Sequence, residues 1–365
     1  MKDGQIREKD REKECLEALL SQIVPVDEVS KEAAGKRWRT VGKPLFSLGK
    51  LEQAVIDIAG IKRTAEYTLK KKGLLIFCAD NGVVKEGVTQ TGQEVTAIVA
   101  ENFTRRAASV CMMAERAGVD LFPIDIGMVR DVEAVTKKEY KVAYGTRDLL
   151  EETAMTEAQT LKAILTGIRL VKEKKEEGYE ILATGEMGIG NTTTSSAVAC
   201  VLLGEDVEAV TGKGAGLSSA GLERKIEVIR RAIEKHRPNR ENVLDVLSKV
   251  GGLDLAGLTG AFLGGAIYHI PVVMDGFISA AAALCAVRLS PAVSGYILPS
   301  HVSKEPGGRK LLDALQLEPF LTCDMCLGEG SGAVALFPFL DMGVAVYESM
   351  STFEDIHVDQ YEELV

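Results

Sequence analysis

Short, continuous runs of apolar residues recur along the chain and are typical of strands that are buried on both faces of a parallel sheet. The pattern predicts strands at residues 73–79, 119–125, 181–184, 271–275 and 292–297. Another apolar run begins at residues 332–336 and fits a helix or a strand equally well. The sequence therefore predicts a sheet whose strands are spread over most of the chain.

Helical patterns separate these strands. Their apolar positions recur every three or four residues, as in an amphipathic helix. Helices are predicted at residues 94–114, 157–176, 195–203, 222–235, 255–268 and 280–289. The alternation predicts the α/β fold class: a Rossmann-like, mostly parallel sheet with helices on both faces.

The two ends of the chain are expected to lie outside the sheet. Apolar positions with helical spacing precede Pro25, and a second helix is predicted to run to about residue 59. We expect residues 65–340 to form a large α/β catalytic domain. Residues 1–64 together with 341–365 are predicted to form a small helical domain.

An acidic residue lies at the end of four predicted strands. These residues are Asp80, Asp125, Glu186 and Asp275. Because ligands of parallel α/β sheets bind beyond the carboxyl ends of the strands, the four acids indicate an active site at that edge. Each acid alone also fits a helix cap or a turn, and for Asp125 we expect that structural role.

The turn after the third strand, residues 185–194, is the most informative motif. It combines three glycines, Glu186 and three threonines between a strand and a helix. Backbone N–H groups and the positive end of a helix can hold a phosphate at such a turn. Because a carboxylate beside an anion site is unfavourable, Glu186 is expected to have a chemical or sugar-binding task. The alternative is a glycine-rich turn without a ligand.

Charge and composition narrow the class of partner. The net charge of −10 argues against nucleic acid, because proteins that bind it normally carry a basic surface. No stretch resembles a signal peptide, and no apolar stretch reaches the roughly 20 residues of a membrane span. We therefore expect a soluble, cytoplasmic protein without a membrane partner.

The cysteines give little sign of a metal site. There are seven, and most lie in apolar runs typical of reduced thiols in a core. Cys323 and Cys326 have CxxC spacing, which is a weak metal motif without a second pair or a nearby histidine. We expect no metal, and the role of this pair is left open.

Several motifs occur in the order typical of one family. They are residues 79–84, 86–88, 93–96, 185–193, 211–217, 274–279, 300–307 and 327–332. The chain resembles the nicotinate-nucleotide–dimethylbenzimidazole phosphoribosyltransferase family of cobamide assembly from residue 48 to residue 332. The resemblance implies transfer of the 5-phosphoribosyl group of nicotinate mononucleotide to a benzimidazole-type base, giving α-ribazole 5′-phosphate and nicotinate. It also implies a homodimer and no metal or organic cofactor.

The resemblance implies two catalytic carboxylates. Glu329 matches the general base that removes the proton of the incoming base, although its turn alone fits a helix cap equally well. Glu186 matches a second acid that stabilises positive charge on the ribosyl ring. The alternative for Glu186 is that it only positions the ribose hydroxyls.

The remaining site residues form two groups. For the phosphate and ribose, the expected residues are Gly188, Gly190, Asn191, Thr192, Lys213, Asp275 and Ser303. Lys213 is expected to supply a point charge, unless it is a solvated surface lysine. Asp275 is expected to hold Lys213 or a ribose hydroxyl. His269 is expected to be structural, and His301 to lie in a loop near the site.

The second group is expected to bind the flat aromatic base. Its members are Asp80, Asn81, Thr91, Gln93, Met187 and Leu327. Apolar faces would hold the ring, and one or two polar groups would fix its rotation. The chain departs from many relatives at Asn81, Gly92 and Asp254, which leaves the identity of the base open but not the class of reaction.

Three alternative functions can be weighed against the sequence. The same donor with a phenolic or purine acceptor remains open. A non-catalytic nucleotide-binding subunit is disfavoured, because a sensor needs neither Glu186 nor Glu329. A dinucleotide dehydrogenase requires GxGxxG directly after a strand, and residues 212–216 do not match that motif.

Overall fold

The structure is a computed structural model that describes residues 2–363, with side chains from residue 9 onward. Its strands are β1 (Lys72–Ala79), β2 (Val119–Gly127), β3 (Ile181–Met187), β4 (Val272–Met274) and β5 (Ile297–Pro299). Within the described residues they form one parallel sheet in the order β2-β1-β3-β4-β5. The predicted parallel sheet is therefore confirmed.

The helices largely follow the predicted pattern. They are α1 (Lys2–Leu20), α2 (Glu28–Thr40), α3 (Lys50–Lys62), α4 (Glu94–Thr104), α5 (Ser109–Ala117), α6 (Glu157–Glu176), α7 (Asn191–Leu203), α8 (Val207–Val210), α9 (Ser219–His236), α10 (Val243–Val250), α11 (Leu253–Ile267), α12 (Phe277–Leu289), α13 (Gly307–Leu315) and α14 (Ser331–Ser349). Short 3₁₀ helices cover Gly82–Glu86 and Pro291–Tyr296. Helix α6 has the predicted bounds.

Three local predictions need correction. The helix predicted at 94–114 is two helices, because Arg106 adopts a left-handed φ of +54° between α4 and α5. The strand predicted at 292–297 is mostly a 3₁₀ helix, with Pro291 at its start, and the strand follows at Ile297–Pro299. Helix α7 begins at Asn191, four residues early, so the glycine turn is shorter than predicted.

Helices cover both faces of the sheet, as predicted. Residues of β1 alternate between the two faces. Leu75 and Phe77 lie in a core with residues of α6, α11 and α12, whereas Leu74 and Ile76 lie in a core with residues of α3, α5 and α14. A sheet buried in this way leaves its carboxyl edge as the place where loops can build a site.

The helices near the two ends of the chain pack on different faces. Trp38 of α2 contacts Tyr347 of α14, with ring centroids 5.3 Å apart, and both share a core with β1. Leu16 of α1 lies in the core on the opposite face. Helix α14 crosses residue 340, so the division into 65–340 and a terminal helical domain stays a prediction.

Helix α14 is long and apolar enough to cross a membrane by length and composition. In this structure it is a core helix. Leu336, Phe337 and Leu340 have no exposed surface and lie in the same core as Leu74 and Ile76 of β1. Its apolar character is therefore explained by burial inside the protein.

Glycines allow α6 and α11 to pack closely beneath the sheet. A Cβ on Gly167 of α6 would lie 2.1 Å from the carbonyl oxygen of Gly257. A Cβ on Gly260 of α11 would lie 2.0 Å from the carbonyl oxygen of Ile164. Real Cβ atoms do not come this close, so the missing side chains set the distance between the two helices. This contact fixes α11, whose first turn lies under the cleft described below.

The substitution Gly260→Ala is expected to lower the free energy of unfolding by about 1–3 kcal/mol, because the added methyl group forces two helices apart. The matched control is Gly35→Ala in α2, where a Cβ would meet its nearest atom at 3.7 Å. There the lost flexibility should stabilise the protein by about 0.5–1 kcal/mol. Denaturant unfolding followed by circular dichroism measures both, and equal effects of the two variants would contradict this account.

Candidate active site

A cleft lies at the carboxyl edge of the sheet, bounded by loops that follow the strands and precede α14. It is lined by residues 88–91, 186–192, 213–215, 217, 275–278, 301, 303, 305 and 326–329. All of the predicted site residues except Asp80, Asn81 and Gln93 are among them. Residues that are far apart in sequence therefore meet where the topology of a parallel sheet predicts a ligand site.

Glu186 lies at the end of β3 and is 7% exposed. Its Oε2 accepts a hydrogen bond from the side-chain amide of Asn191. Burial raises the pKa of Glu186 to about 8, and the carboxylates of Asp254 and Asp275 raise it further. The Asn191 amide and the backbone N–H of Glu329 oppose this effect by hydrogen bonding. A positive charge in the cleft would favour the ionised form of Glu186.

Glu329 occupies the centre of a turn of three left-handed residues. The φ angles of Gly328, Glu329 and Gly330 are +83°, +60° and +84°. This conformation costs a non-glycine residue on the order of 1–3 kcal/mol and persists only when the surroundings hold it. Burial raises the pKa of the half-buried Glu329 carboxyl, and Asp275 adds to this, while a 3.4 Å hydrogen bond from the Val110 N–H lowers it.

The turn that carries Glu329 packs directly on the end of β3. A Cβ on Gly185 would lie 2.7 Å from the Glu329 carbonyl oxygen, so only glycine permits this approach. A Cβ on Gly328 would overlap Oε1 of Glu186. Two backbone positions without side chains thus bring the two acids into one cleft. Both side chains therefore line the same cleft.

The Asp275 carboxylate holds the Glu329 turn by accepting hydrogen bonds from backbone N–H groups. Its Oδ1 accepts hydrogen bonds from the backbone N–H groups of Gly332, at 2.8 Å, and Ala333, at 3.1 Å. Its Oδ2 accepts one from the Gly330 N–H at 3.2 Å. Asp275 was expected to hold Lys213 or a ribose hydroxyl. In the structure its carboxylate is used instead at the start of α14, where free N–H groups and the helix dipole favour an anion.

The start of α7 forms the part of the cleft where a phosphate was predicted. Gly188, Gly190 and Thr192 line the cleft there, and Gly190 has a φ of +94°. Lys213 and Ser303 also line the cleft, and Lys213 is exposed. Backbone N–H groups at the start of a helix suit a phosphate. The side chain of Asn191, in contrast, is turned towards the acids.

Sequence analysis missed Lys225, which is fully buried beneath this turn. Its Nζ donates hydrogen bonds to Oγ1 of Thr192, at 2.9 Å, and to the Gly212 carbonyl, at 3.0 Å. Burial lowers the pKa of Lys225 to about 8, and the Glu305 carboxylate opposes this. In the sequence, Lys225 is one of many polar residues of α9 and looks like a solvated surface lysine. Only the tertiary structure shows that it joins the two glycine turns.

The predicted base-binding residues divide into two sets. Thr91, Met187 and Leu327 line the cleft. Asp80, Asn81 and Gln93 do not: Asp80 and Asn81 have no exposed surface, and Nε2 of Gln93 donates to the Asn81 carbonyl at 3.1 Å. Within the described residues these three therefore support the loops behind the cleft, in contrast to the direct contacts expected of them.

The structural roles expected for two residues agree with the contacts. Asp125 is fully buried, and its carboxylate accepts hydrogen bonds from the Met128 N–H at 2.8 Å and from Lys141 Nζ at 2.9 Å. His269 lies 3.2 Å from the hydroxyl of Tyr296. His301 is buried and lines the cleft, closer to the site than its loop position suggested.

The CxxC pair lies beside the cleft. Cys323 and Cys326 are both exposed free thiols, and Cys326 contributes to the lining. In the part of the chain that the structure describes, no three His, Cys, Asp or Glu side chains form a group that would hold a metal ion.

Comparison with known proteins assigns the chain to a family. A family model described as phosphoribosyltransferase (DBI_PRT) matches residues 23–358. The chain belongs to this phosphoribosyltransferase family. The family, the enzyme class and the general activity predicted from the sequence are thereby confirmed.

Individual relatives of this phosphoribosyltransferase are similar over almost their full length. The nicotinate-nucleotide–dimethylbenzimidazole phosphoribosyltransferase of Ruminiclostridium cellulolyticum is 45% identical, with 95% of this chain and 99% of the relative covered. The protein of the same name from Clostridium acetobutylicum is 44% identical, with 96% and 99% covered. The crystal structure of CobT from Thermus thermophilus superposes with a TM-score of 0.85 at 34% identity, with 94% of this chain and 100% of that chain covered.

The buried lysine gives a prediction about anion binding. The substitution Lys225→Met is expected to weaken binding of inorganic phosphate by about tenfold or more, because it removes the positive charge beneath the turn and the hydrogen bond that holds Thr192 in the cleft. A hydrogen bond to a charged group contributes roughly 1.5–3 kcal/mol. Lys235→Met in the same helix is the control, since Lys235 is exposed and donates to the carbonyls of Leu150 and Glu151. Calorimetric titration measures both, and unchanged binding by a folded Lys225→Met protein would refute the role.

Proposed function

We propose that this phosphoribosyltransferase transfers the 5-phosphoribosyl group of nicotinate mononucleotide to a benzimidazole-type base. The products are α-ribazole 5′-phosphate and nicotinate, and the reaction serves the assembly of the cobamide nucleotide loop. The observation that carries the proposal is the convergence of Glu186 and Glu329 on one cleft beside the start of α7. The names of the relatives from Ruminiclostridium and Clostridium support these two substrates.

The reaction exchanges one C–N bond for another. A ring nitrogen of the base attacks C1′ with its lone pair while the bond from C1′ to the pyridinium nitrogen breaks. The electron pair of that bond stays with the pyridine ring, so nicotinate leaves, and attack from the opposite face inverts C1′. Glu329 accepts the proton from the other ring nitrogen of the base. Its raised pKa suits this task, because a general base works best when its pKa is near the operating pH.

Glu186 is proposed to stabilise the positive charge of the donor. Nicotinate mononucleotide carries a pyridinium cation, and the ribosyl group becomes cationic as the bond breaks. A carboxylate held in a buried position favours that charge without reorganising. The cation in turn favours ionisation of Glu186, whose pKa is about 8 in the free protein.

The phosphate of the donor is proposed to bind at Gly188, Gly190 and Thr192. The start of α7 supplies N–H groups and a helix dipole of the right sign. Lys225 supplies a buried positive charge beneath Thr192, and Lys213 and Ser303 contribute from the lining. Binding of the phosphate at the start of α7 would hold the ribosyl group between Glu186 and Glu329.

Thr91, Met187 and Leu327 are proposed to contact the aromatic base. They include the apolar surfaces that line the cleft around the two acids. Methionine adapts to different ring shapes, so this surface is compatible with several acceptors. A homodimer and a cytoplasmic location belong to the same proposal, and the homodimer rests on the family resemblance.

One assay tests the reaction and the acceptor together. Purified protein is incubated with nicotinate mononucleotide and equal amounts of 5,6-dimethylbenzimidazole, benzimidazole, adenine, phenol and p-cresol, and the products are identified by mass. We expect α-ribazole 5′-phosphates of the benzimidazoles to predominate. Glu329→Gln should slow turnover by about a hundredfold or more while donor binding is retained. Normal turnover of this variant, or products only from phenols or adenine, would contradict the proposal.

The expected pH dependence of activity follows from the raised pKa of Glu186 and the lowered pKa of Lys225. Glu186 must be ionised, so activity should be lost as pH falls below its pKa of about 8. Lys225 must be protonated, so activity should also be lost as pH rises above its pKa of about 8. We expect a narrow bell for kcat/KM, which reports the free enzyme, and a broader bell for kcat, because bound donor shifts the two pKa values apart. A flat profile of kcat/KM between about pH 6 and 10 would exclude these assignments.

A further inference from the structure

A fully buried acidic residue near the cleft, Asp254, has no role in the proposed chemistry. Asp254 lies in the first turn of α11 and has no exposed surface. Its Oδ1 accepts a hydrogen bond from the Leu255 N–H at 3.0 Å. The start of a helix favours an anion, and the glycine contacts with α6 hold α11 in place. Asp254 is therefore a rigidly placed carboxylate.

Asn191 connects Asp254 to the cleft. Nδ2 of Asn191 donates one hydrogen bond to Oδ2 of Asp254, at 3.1 Å, and another to Oε2 of Glu186. The side chain of Asn191 is itself buried, at 5% exposure for the residue. An amide NH₂ group has two hydrogens, so both are used, one on each carboxylate. The Asp254 carboxylate, which can only accept, fixes which end of the amide faces Glu186.

Close packing leaves this bridge little freedom. A Cβ on Gly188 would lie 2.9 Å from Oδ2 of Asp254 and 3.3 Å from Nδ2 of Asn191. A Cβ on Gly252 would lie 2.5 Å from Oδ1 of Asp254. The backbone therefore surrounds the bridge at the two places where a side chain would push it aside. Both hydrogens of the Asn191 amide are used within the bridge, and a buried network bonded in this way is typically rigid.

We propose that Asp254 is a positioning residue for this phosphoribosyltransferase: through the side-chain amide of Asn191 it holds the Glu186 carboxylate against the ribosyl group. The inference rests on the function proposed above. It gives Asn191 a different role from the phosphate contact expected from the sequence. The bridge supplies the directed donor that keeps Glu186 from rotating away as charge develops on the donor.

Charge adds a second, separable effect of Asp254. The charged groups that act on Glu186 are Asp254 from α11 and Asp275 after β4. Glu329, from the turn before α14, contributes a backbone N–H and lines the same cleft. His301, Glu305 and Lys213 line the same cleft, and Asp80 faces Asp254 from the end of β1. The negative charge of Asp254 raises the pKa of Glu186. Removal of that charge alone would lower the pKa of Glu186, whereas loss of the Asn191 hydrogen bond would raise it. An Asn side chain at position 254 has one acceptor oxygen and cannot serve both the Leu255 N–H and the Asn191 amide.

The test compares Asp254→Asn with wild type in the assay of nicotinate mononucleotide and 5,6-dimethylbenzimidazole. We expect kcat to fall by about tenfold to a hundredfold, the scale for a misplaced catalytic group. KM for the nucleotide should change much less, because the phosphate turn is intact. The acidic limb of kcat/KM should also move to higher pH, because losing the Asn191 hydrogen bond raises the pKa of Glu186 more than losing the Asp254 charge lowers it. A merely structural role would lower thermal stability and leave that limb in place.

Asp125→Asn is the matched control. Asp125 is an equally buried carboxylate at the end of the neighbouring strand β2, but its partners are Met128, Thr136 and Lys141. Its loss should reduce stability without moving the acidic limb. A shift of the limb in this variant equal to that in Asp254→Asn would overturn the proposal, since any buried carboxylate would then suffice.

Asn191→Ala keeps the proposal testable if Asp254→Asn folds poorly, and a double-variant cycle tests whether Asp254 acts through the amide. If the action passes through the amide, Asn191→Ala alone should lower kcat by a similar factor. The double variant Asn191→Ala, Asp254→Asn should then lose little more than either single variant. Effects on kcat that multiply would overturn the proposal. Inactive wild type in the same assay would instead refute the proposed function, so the two failures are distinguishable.

Discussion

The close approach of the Glu329 turn to the end of β3 is the constraint on which the site depends. Gly185 and Gly328 lack the side chains that would keep the two segments apart, and each contacts the segment that carries the opposite acid. The two segments lie far apart along the chain, and the parallel sheet with α14 brings them together. Without this contact, each carboxylate would belong to an ordinary strand end or helix start.

A large part of the structure around the contact holds the Glu186 and Glu329 carboxyl groups in the same cleft. Asp275 holds the left-handed turn through three backbone N–H groups, which offsets the strain at Glu329. Asn191 and Asp254 hold Glu186 from the other side. Burial of so much negative charge is costly until a cation enters. The proposed donor is itself a pyridinium cation and would supply the compensating charge, which links the electrostatics of the free protein to the proposed substrate.

The sequence was sufficient for the fold and for the edge at which the site lies. Continuous apolar strands, helical spacing between them and acids at strand ends are local patterns, and each is set by the same burial that forms the sheet. The turn at residues 185–194 was informative because glycines with a carboxylate at a strand-to-helix junction have few structural reasons to occur together. The catalytic interpretation of Glu329, in contrast, needed the family resemblance.

Residues whose roles depend on tertiary contacts were predicted less well. Lys225 belongs to an amphipathic helix whose pattern does not distinguish a buried lysine from a solvated one, so the glycine setting pointed to Lys213 instead. Asp275 was correctly placed at a strand end, but its partners come from the start of α14, which the pattern left as helix or strand. Asp80 and Asn81 were expected in the cleft from the family resemblance, and Asp80 also because it follows β1, yet both are completely buried.

The most direct test of the account is a crystal structure of the Glu329→Gln variant with nicotinate mononucleotide and 5,6-dimethylbenzimidazole bound. The account predicts that C1′ lies within about 4 Å of the Glu186 carboxylate, the near-attack range for a group that acts on it. The phosphate should lie at the start of α7, and the protonated ring nitrogen of the base should point to the side chain at position 329. A donor bound with its ribosyl group away from these two side chains would contradict the central claim.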